Sequence, residues 1–221
     1  MENKRVLVWG AGGHGKVTVD ALLAGGWEVA GIVDEDEKKW GTEVLGVKVS
    51  SLKGGVAVAA KGLDCGRVAI AIGDNYARFE KFQELRQAGL AAVNVVHPSA
   101  HVSRFVKMGE GVTILAGATI NPGTTIEDNV CVNTSASVDH DNYLERSCHI
   151  FPNATLTGGV RIQEFAYVGT GAVIAPNLTV EKYSYVGAGA VVLANVGLGT
   201  IVFGVPAKVR GDQKKRPGKE N

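Results

Sequence analysis

The stretch VNTSASVDHDNYLERSCHIFPNATLTGG, residues 132–159, concentrates the side chains able to do acid–base chemistry. It carries Asp139, His140, Asp141, His149 and the pair Gly158-Gly159. An imidazole that titrates near neutrality can take a proton from an attacking amine or hydroxyl. A flanking carboxylate can fix its tautomer and stabilise the imidazolium. The competing reading is an ordinary polar corner, because Asp, His and Asn are common turn residues. A metal site is a third reading, but the spacing of these groups matches no standard zinc pattern. No metal is expected. No Ser or Cys stands out as a nucleophile, and Cys148 falls where a small inward residue belongs.

A second motif lies at the start, in RVLVWGAGGHGKVTVD, residues 5–20. Gly10-x-x-x-x-Gly15-Lys16 resembles a P-loop, but Val17 stands where a magnesium-binding Ser or Thr is needed. Gly10-x-Gly12-x-x-Gly15 meets the dinucleotide fingerprint better. It follows a strand and opens a helix, and Asp34 ends the next strand, where a ribose-binding acid belongs. Only about half of a dinucleotide fold precedes the next change of pattern. A mononucleotide or sugar-nucleotide site is the remaining reading, with helix-start N–H groups favouring phosphate. A glycine turn used only for packing stays open beside it, and His14 is as well read as a local hydrogen-bonder.

The elements that must hold these residues fall into two parts. Residues 1–97 alternate apolar runs and amphipathic segments: RVLVWG, a helix from Gly15 to Gly25, WEVAGIVD, the runs VAVAA and RVAIAIGD, a helix over 75–88, and AAVNVVH. That alternation predicts a small parallel α/β sheet. From residue 98 the period becomes six. Every sixth residue from Val102 to Leu198 is aliphatic or Met, without a slip. The position two earlier is mostly small or aliphatic, as at Val112, Ala118, Val130, Ala136, Cys148, Ala154 and Val160. A six-residue period fits neither a helix nor hairpins. It fits a solenoid of short strands, each sending one aliphatic side chain inward.

Composition limits the partners. With 23 Lys and Arg against 22 Asp and Glu, the net charge is +1, so no field favours nucleic acid or a membrane surface. No apolar run reaches the length of a membrane span, and no secretory signal is read at the start. Three cysteines without a close pair, Cys65, Cys131 and Cys148, point to free thiols in a reducing compartment, hence a cytoplasmic protein.

The whole pattern resembles the hexapeptide-repeat sugar acyltransferases of the sialic acid O-acetyltransferase (NeuD/PglD) type. That group includes N-acetyltransferases for nucleotide-linked 4-amino sugars of the UDP-bacillosamine and GDP-perosamine types. The likeness spans residues 4–210 and rests on GAGGHGK, AIGDN (71–75), HPSA (97–100), NTSASVDHD (133–141), CHIFPNATLTGGV (148–160) and GVPAK (204–208). It implies a half-Rossmann-like α/β domain over 1–97, which holds the nucleotide sugar, and a left-handed parallel β-helix over 98–203. The segment 204–221 is then GVPAK and a disordered basic tail. Left-handed winding is an exception to the usual crossover rule.

Carried over by residue, the resemblance makes His140 the base and Asp141 its acidic neighbour, with Asp139 a competing choice. Gly158 supplies an N–H to the thioester oxygen, and His149 lies near the acetyl group and substrate. Gly12, Gly13, His14, Gly15, Asp34, Gly73, Asp74 and Asn75 match the nucleotide site. Ala188, Gly189 and Lys208 match contacts to acetyl-CoA, which lies between subunits of a homotrimer. The implied activity is direct acetylation of the 4-amino group of a nucleotide-linked 4-amino-4,6-dideoxy sugar. The alternatives are a sialic-acid-type O-acetyltransferase and a silent sugar-nucleotide-binding solenoid.

Overall fold

A computed structural model of the chain describes residues 4–213. They form two compact units. One holds the chain up to Pro98 together with Glu110–Ala116; the other holds Ser99–Gly109 and the chain from Gly117.

The first unit is built on a sheet of β1 (Arg5–Trp9), β2 (Glu28–Asp34), β3 (Glu43–Val44), β4 (Val47–Ser51), β5 (Arg67–Ile70) and β6 (Ala91–Ala92). Its order is β3-β4-β2-β1-β5-β6. All neighbours run parallel except β3 and β4, which form an antiparallel hairpin. The apolar runs of β1 and β2 are fully buried because both sheet faces are covered. Val6, Val8 and Ile32 pack with Val19 and Leu22 of α1 (Gly13–Ala24) on one face. On the other, Leu7, Trp9 and Val33 meet Val56 of α2 (Val56–Gly62) and Phe82 and Leu85 of α3 (Asn75–Gln87).

Three local readings are sharpened or corrected. VAVAA, read as one of the apolar runs, is the helix α2: Val56 and Ala60, four residues apart, are the buried pair, which is helical spacing. AAVNVVH splits into β6 and a separate pair, Val95–Val96. The domain boundary at 97/98 is interrupted, because Thr113–Ile114 pairs with Val95–Val96. Asn94 Oδ1 also accepts the Val112 N–H, and Leu115 joins the α1 core.

The second unit is a parallel β-helix of two-residue strands. Thr119 pairs with Ser137, Ser137 with Thr155 and Thr155 with Val173, so one coil takes 18 residues. The sixfold series is its inner lining. Ile120, Ile126, Val132, Val138, Leu144, Ile150 and their successors to Val192 are all buried, each worth roughly 1.5–3 kcal/mol of gross transfer energy. Corners recur with the same period. Asn129, Ser135, Asp141, Ser147, Asn153 and Asn177 all have φ between 55° and 60°, a left-handed corner that short polar side chains tolerate.

The series fails at its end. Leu198 is 64% exposed. Val180 instead bridges Val196, and Val186 pairs with Val202, so the last coil is two residues short. The GVPAK segment then turns Thr200–Phe203 back onto Lys208–Asp212 as an antiparallel pair. The chain through Asp212 is therefore a paired strand rather than a tail, and the rest of the expected tail lies outside the described residues.

Candidate active site and nucleotide cavity

His140 stands on the corner that follows the strand Ser137–Val138. Backbone bonds stack this corner between two others: Asp141 N–H donates to Pro122 O, Gly159 N–H to His140 O, and Asn177 N–H to Gly158 O. The corner column thus carries His140 and Asp141 directly beside Gly158 and Gly159. His140 Nδ1 donates to Asp141 Oδ2 over 2.8 Å. Both side chains are exposed, at 61% and 71%.

Asp139 is otherwise engaged. Its Oδ1 accepts from Asn121 Nδ2 and from the His140 backbone N–H, each at 2.8 Å. These bonds hold the Asp139 carboxyl below its ordinary range. The bond to Asp141, helped by the charge of Asp139, pushes the His140 imidazole up. Asp141 therefore anchors Nδ1, which leaves Nε2 as the free face for proton transfer. Asp139 fixes the backbone beneath it.

Gly158 closes against this imidazole. A Cβ on Gly158 would lie 2.6 Å from both Cε1 and Nε2 of His140. Glycine at 158 leaves room for the imidazole to lie in this position.

The other acetyl-site candidates lie elsewhere on the chain. His149 begins the strand His149–Ile150 and is 2% exposed. It stacks on Phe151 at 4.2 Å, and Asn133 Nδ2 donates to its Nε2 over 3.2 Å. Ala188 and Gly189 sit on a different corner column, since Gly189 N–H donates to Thr170 O and Gly171 N–H to Pro152 O. Both are exposed, as is Lys208. Within one chain, His140, Asp141 and Gly158 come together on one column, while Ala188 and Gly189 belong to another. Lys208 lies in the terminal strand pair.

The first unit contains a cavity of about 450 Å³. Gly12, Gly13, His14, Asp34 and Gly73 are among the residues that line it. Gly15, Asp74 and Asn75 do not. A Cβ on Gly15 would lie 2.2 Å from Gly10 O, so this glycine serves helix–strand packing. Asp74 caps α3, accepting the Tyr76 and Ala77 N–H groups. Asn75 is fully buried, and its Oδ1 accepts from Arg78 Nη2 over 2.8 Å. Lys16 is exposed and outside the lining, which removes the P-loop reading's key cation.

Asp34 faces the cavity but is heavily occupied. Oδ2 accepts the Ala11 N–H at 2.7 Å and Lys39 Nζ at 3.0 Å; Oδ1 accepts the Asp36 N–H at 2.9 Å. Burial works against its charge, and these three donors outweigh it, so its carboxyl lies low. The carboxylate thus secures the glycine loop to β2. Burial and the nearby Arg78 charge push the His14 imidazole down to about 4, so it is neutral at pH 7.

The sequence reading missed Trp9, Glu35, Lys39 and Lys81 in this lining. Lys81 lies 4.9 Å from the Trp9 ring centroid and pairs with Glu35 and Glu84. Helical spacing from Ala77 would have flagged Lys81, but Glu35 lies in a loop and Lys39 in a single 3-10 turn, Glu37–Lys39, neither with a periodic pattern.

Among the described residues no group of three or more His, Cys, Asp or Glu is placed to hold a metal. No helix among them is long and apolar enough to cross a membrane.

A half-Rossmann unit joined to a hexapeptide β-helix, with a His–Asp corner against a glycine, defines a hexapeptide-repeat acyltransferase. The chain belongs to the NeuD/PglD-type family of sugar acyltransferases, and its helix is the left-handed form. Residues 5–85 match the PglD N-terminal domain. PerB from Caulobacter crescentus, solved with CoA and GDP-perosamine, is 39% identical, with a TM-score of 0.87 over 93% of this chain and 97% of that one. The acetyltransferase domain of PglB from Neisseria gonorrhoeae, solved with acetyl coenzyme A, is 34% identical, with a TM-score of 0.86 over 94% of this chain and 100% of that one. WeeI from Acinetobacter baumannii is 26% identical, with a TM-score of 0.81 over 93% and 99% of the two chains.

Proposed function

We propose that the chain transfers the acetyl group of acetyl-CoA to the 4-amino group of a nucleotide-linked 4-amino-4,6-dideoxy sugar. The observation that carries this reading is the His140–Asp141 pair packed against Gly158. The sugar amine attacks the thioester carbonyl carbon. Its N–H proton passes to His140 Nε2, and Asp141 stabilises the imidazolium. The Gly158 N–H faces the developing oxyanion. The C–S bond then breaks, and the CoA thiolate leaves with the proton from His140.

The cavity of the first unit receives the nucleotide, with the diphosphate against the Gly12–Gly13 start of α1. Its volume suits a ligand of that size. Acetyl-CoA lies in a groove between subunits of a homotrimer. The separation of the His140 column from Ala188 and Gly189 within one chain supports a groove completed by a second copy. Cys65, Cys131 and Cys148, buried and outside any disulfide, support a cytoplasmic site.

The test is to incubate the protein with acetyl-CoA and a panel of UDP- and GDP-linked 4-amino sugars, following thiol release and product mass. An acetylated amine is expected with the wild type and none with His140→Ala. No product from any acceptor, or full activity of His140→Ala, would sink the proposal. Light scattering reads the trimer.

A further inference from the structure

Two residues before each buried aliphatic, the hexapeptide carries an inward residue. Around the catalytic corner it is Val130, Ala136, Cys148, Ala154 and Val160, all buried. In the coil bearing His140 it is Asn142, 1% exposed. The next coil carries Val160 at this position and the preceding one Thr124, and an amide placed among apolar side chains is costly unless fully bonded.

Asn142 is fully bonded, and its partners are specific. Nδ2 donates to Asp139 O at 2.6 Å and Thr157 O at 3.1 Å, with a longer contact to His140 O at 3.3 Å. Oδ1 accepts the Val160 N–H at 3.1 Å. Asp139 and His140 carry the base; Thr157 and Val160 bracket Gly158. One buried amide therefore joins the backbone of the imidazole's turn to the backbone of the glycine turn above it. Support from the coil below is similar in kind. Thr124, at the same inward position and fully buried, donates through Oγ1 to Asp139 O at 3.0 Å.

We infer that Asn142 is a positioning residue, holding His140 and the Gly158 amide at the separation that acetyl transfer requires. The inference rests on the acetyl-transfer reading above. Backbone bonds between coils recur along the whole helix, and any coil can stack by them. The bonds through Asn142 fix these two turns relative to each other, and a satisfied buried network of this kind gives rigidity.

The experiment compares full-length wild type, His140→Ala, Asn142→Val and Asn142→Thr with acetyl-CoA and the best acceptor of the panel. Asn142→Val keeps the shape of the stack and removes every bond of the amide. Its kcat is expected to fall at least about tenfold, since misplacement of a reacting group by an ångström can cost far more. The KM for acetyl-CoA should stay within about twofold and the protein should remain folded at assay temperature. Asn142→Thr supplies one hydroxyl donor, as Thr124 does, and should recover at least about threefold of the lost kcat. Wild-type kcat in folded Asn142→Val, a loss carried by KM alone, or equal rates for Val and Thr would overturn the inference. Should Asn142→Val not fold, an unchanged kcat in Asn142→Thr overturns it and a lowered kcat at constant KM supports it. An inactive wild type, or an active His140→Ala, would instead sink the underlying reading.

Discussion

The imidazole of His140 occupies the space that a side chain on Gly158 would need: a Cβ there would lie 2.6 Å from both Nε2 and Cε1. The base and the glycine proposed to supply the oxyanion amide are thus packed together across two adjacent coils. The conflict is with the end of an exposed, rotatable side chain, so a methyl group would displace the ring rather than the coil.

Gly158→Ala should therefore lose activity while keeping its fold. We expect kcat to fall about 100-fold, through displacement of the base. Thermal melting should stay within a few degrees of wild type. Near-normal kcat in Gly158→Ala would refute the tight seat of His140.

The pH–rate profile should report the Asp141 bond. His140 must be neutral to accept a proton, so the rate falls as pH drops through its raised pKa. The bond to Asp141 is the largest cause of that rise. Asp141→Asn should move the acid limb of kcat/KM to lower pH. An unmoved limb would mean that Asp141 does not face the imidazole in the working enzyme.

The fingerprint glycines should separate by role. Gly12 and Gly13 have nothing within 4 Å of a built Cβ and open on the cavity. Gly13→Ala should leave stability intact or improved and raise the KM for the nucleotide sugar about tenfold, or ~1.4 kcal/mol. Gly15→Ala, pressed on Gly10 O, should instead destabilise by about 1–3 kcal/mol. Denaturation curves and KM values for both variants decide the matter, and the opposite pattern would reassign the glycines.

His14 should make the fold sensitive to mild acid. Its folded pKa of about 4 lies below the unfolded value of 6.5. The unfolded chain therefore binds the proton first, and stability falls as pH drops from 6.5 towards 4. The loss from this group is about 2 kcal/mol between pH 7.5 and pH 5. Urea titrations of wild type and His14→Asn at these two pH values test it. Parallel losses in both proteins would show that His14 is not the cause.

The inner ladder was legible because it repeats. Each of Ile120 to Val192 solves the same packing problem as the residue 18 positions away, so the period of six in the sequence is the coil itself. Glycine-rich turns and the strand before Gly10 were legible for a local reason too: their backbone needs are met within a few residues. From these alone came the solenoid, the α/β start, and His140 on a corner beside acids.

Only the folded coordinates decided which groups meet. Asp139 and Asp141 flank His140 symmetrically in the chain, yet one turns to Asn121 and the other to the imidazole. Asp74 and Asn75 look like ligands in AIGDN, but a helix cap and a buried arginine claim them. Asn142 stands at an inward position that is mostly small or aliphatic, and only the bonds to Asp139, Thr157 and Val160 show its purpose. Segment 110–116 keeps the six-residue period, and only the fold shows that it also pairs with Val95–Val96 and sends Leu115 into the core around α1. Periodicity records what each residue does for its own coil. Hydrogen bonds are short and directional, so their partners, one residue away for Asp141 and 18 away for Asn121, are set only when the chain has folded.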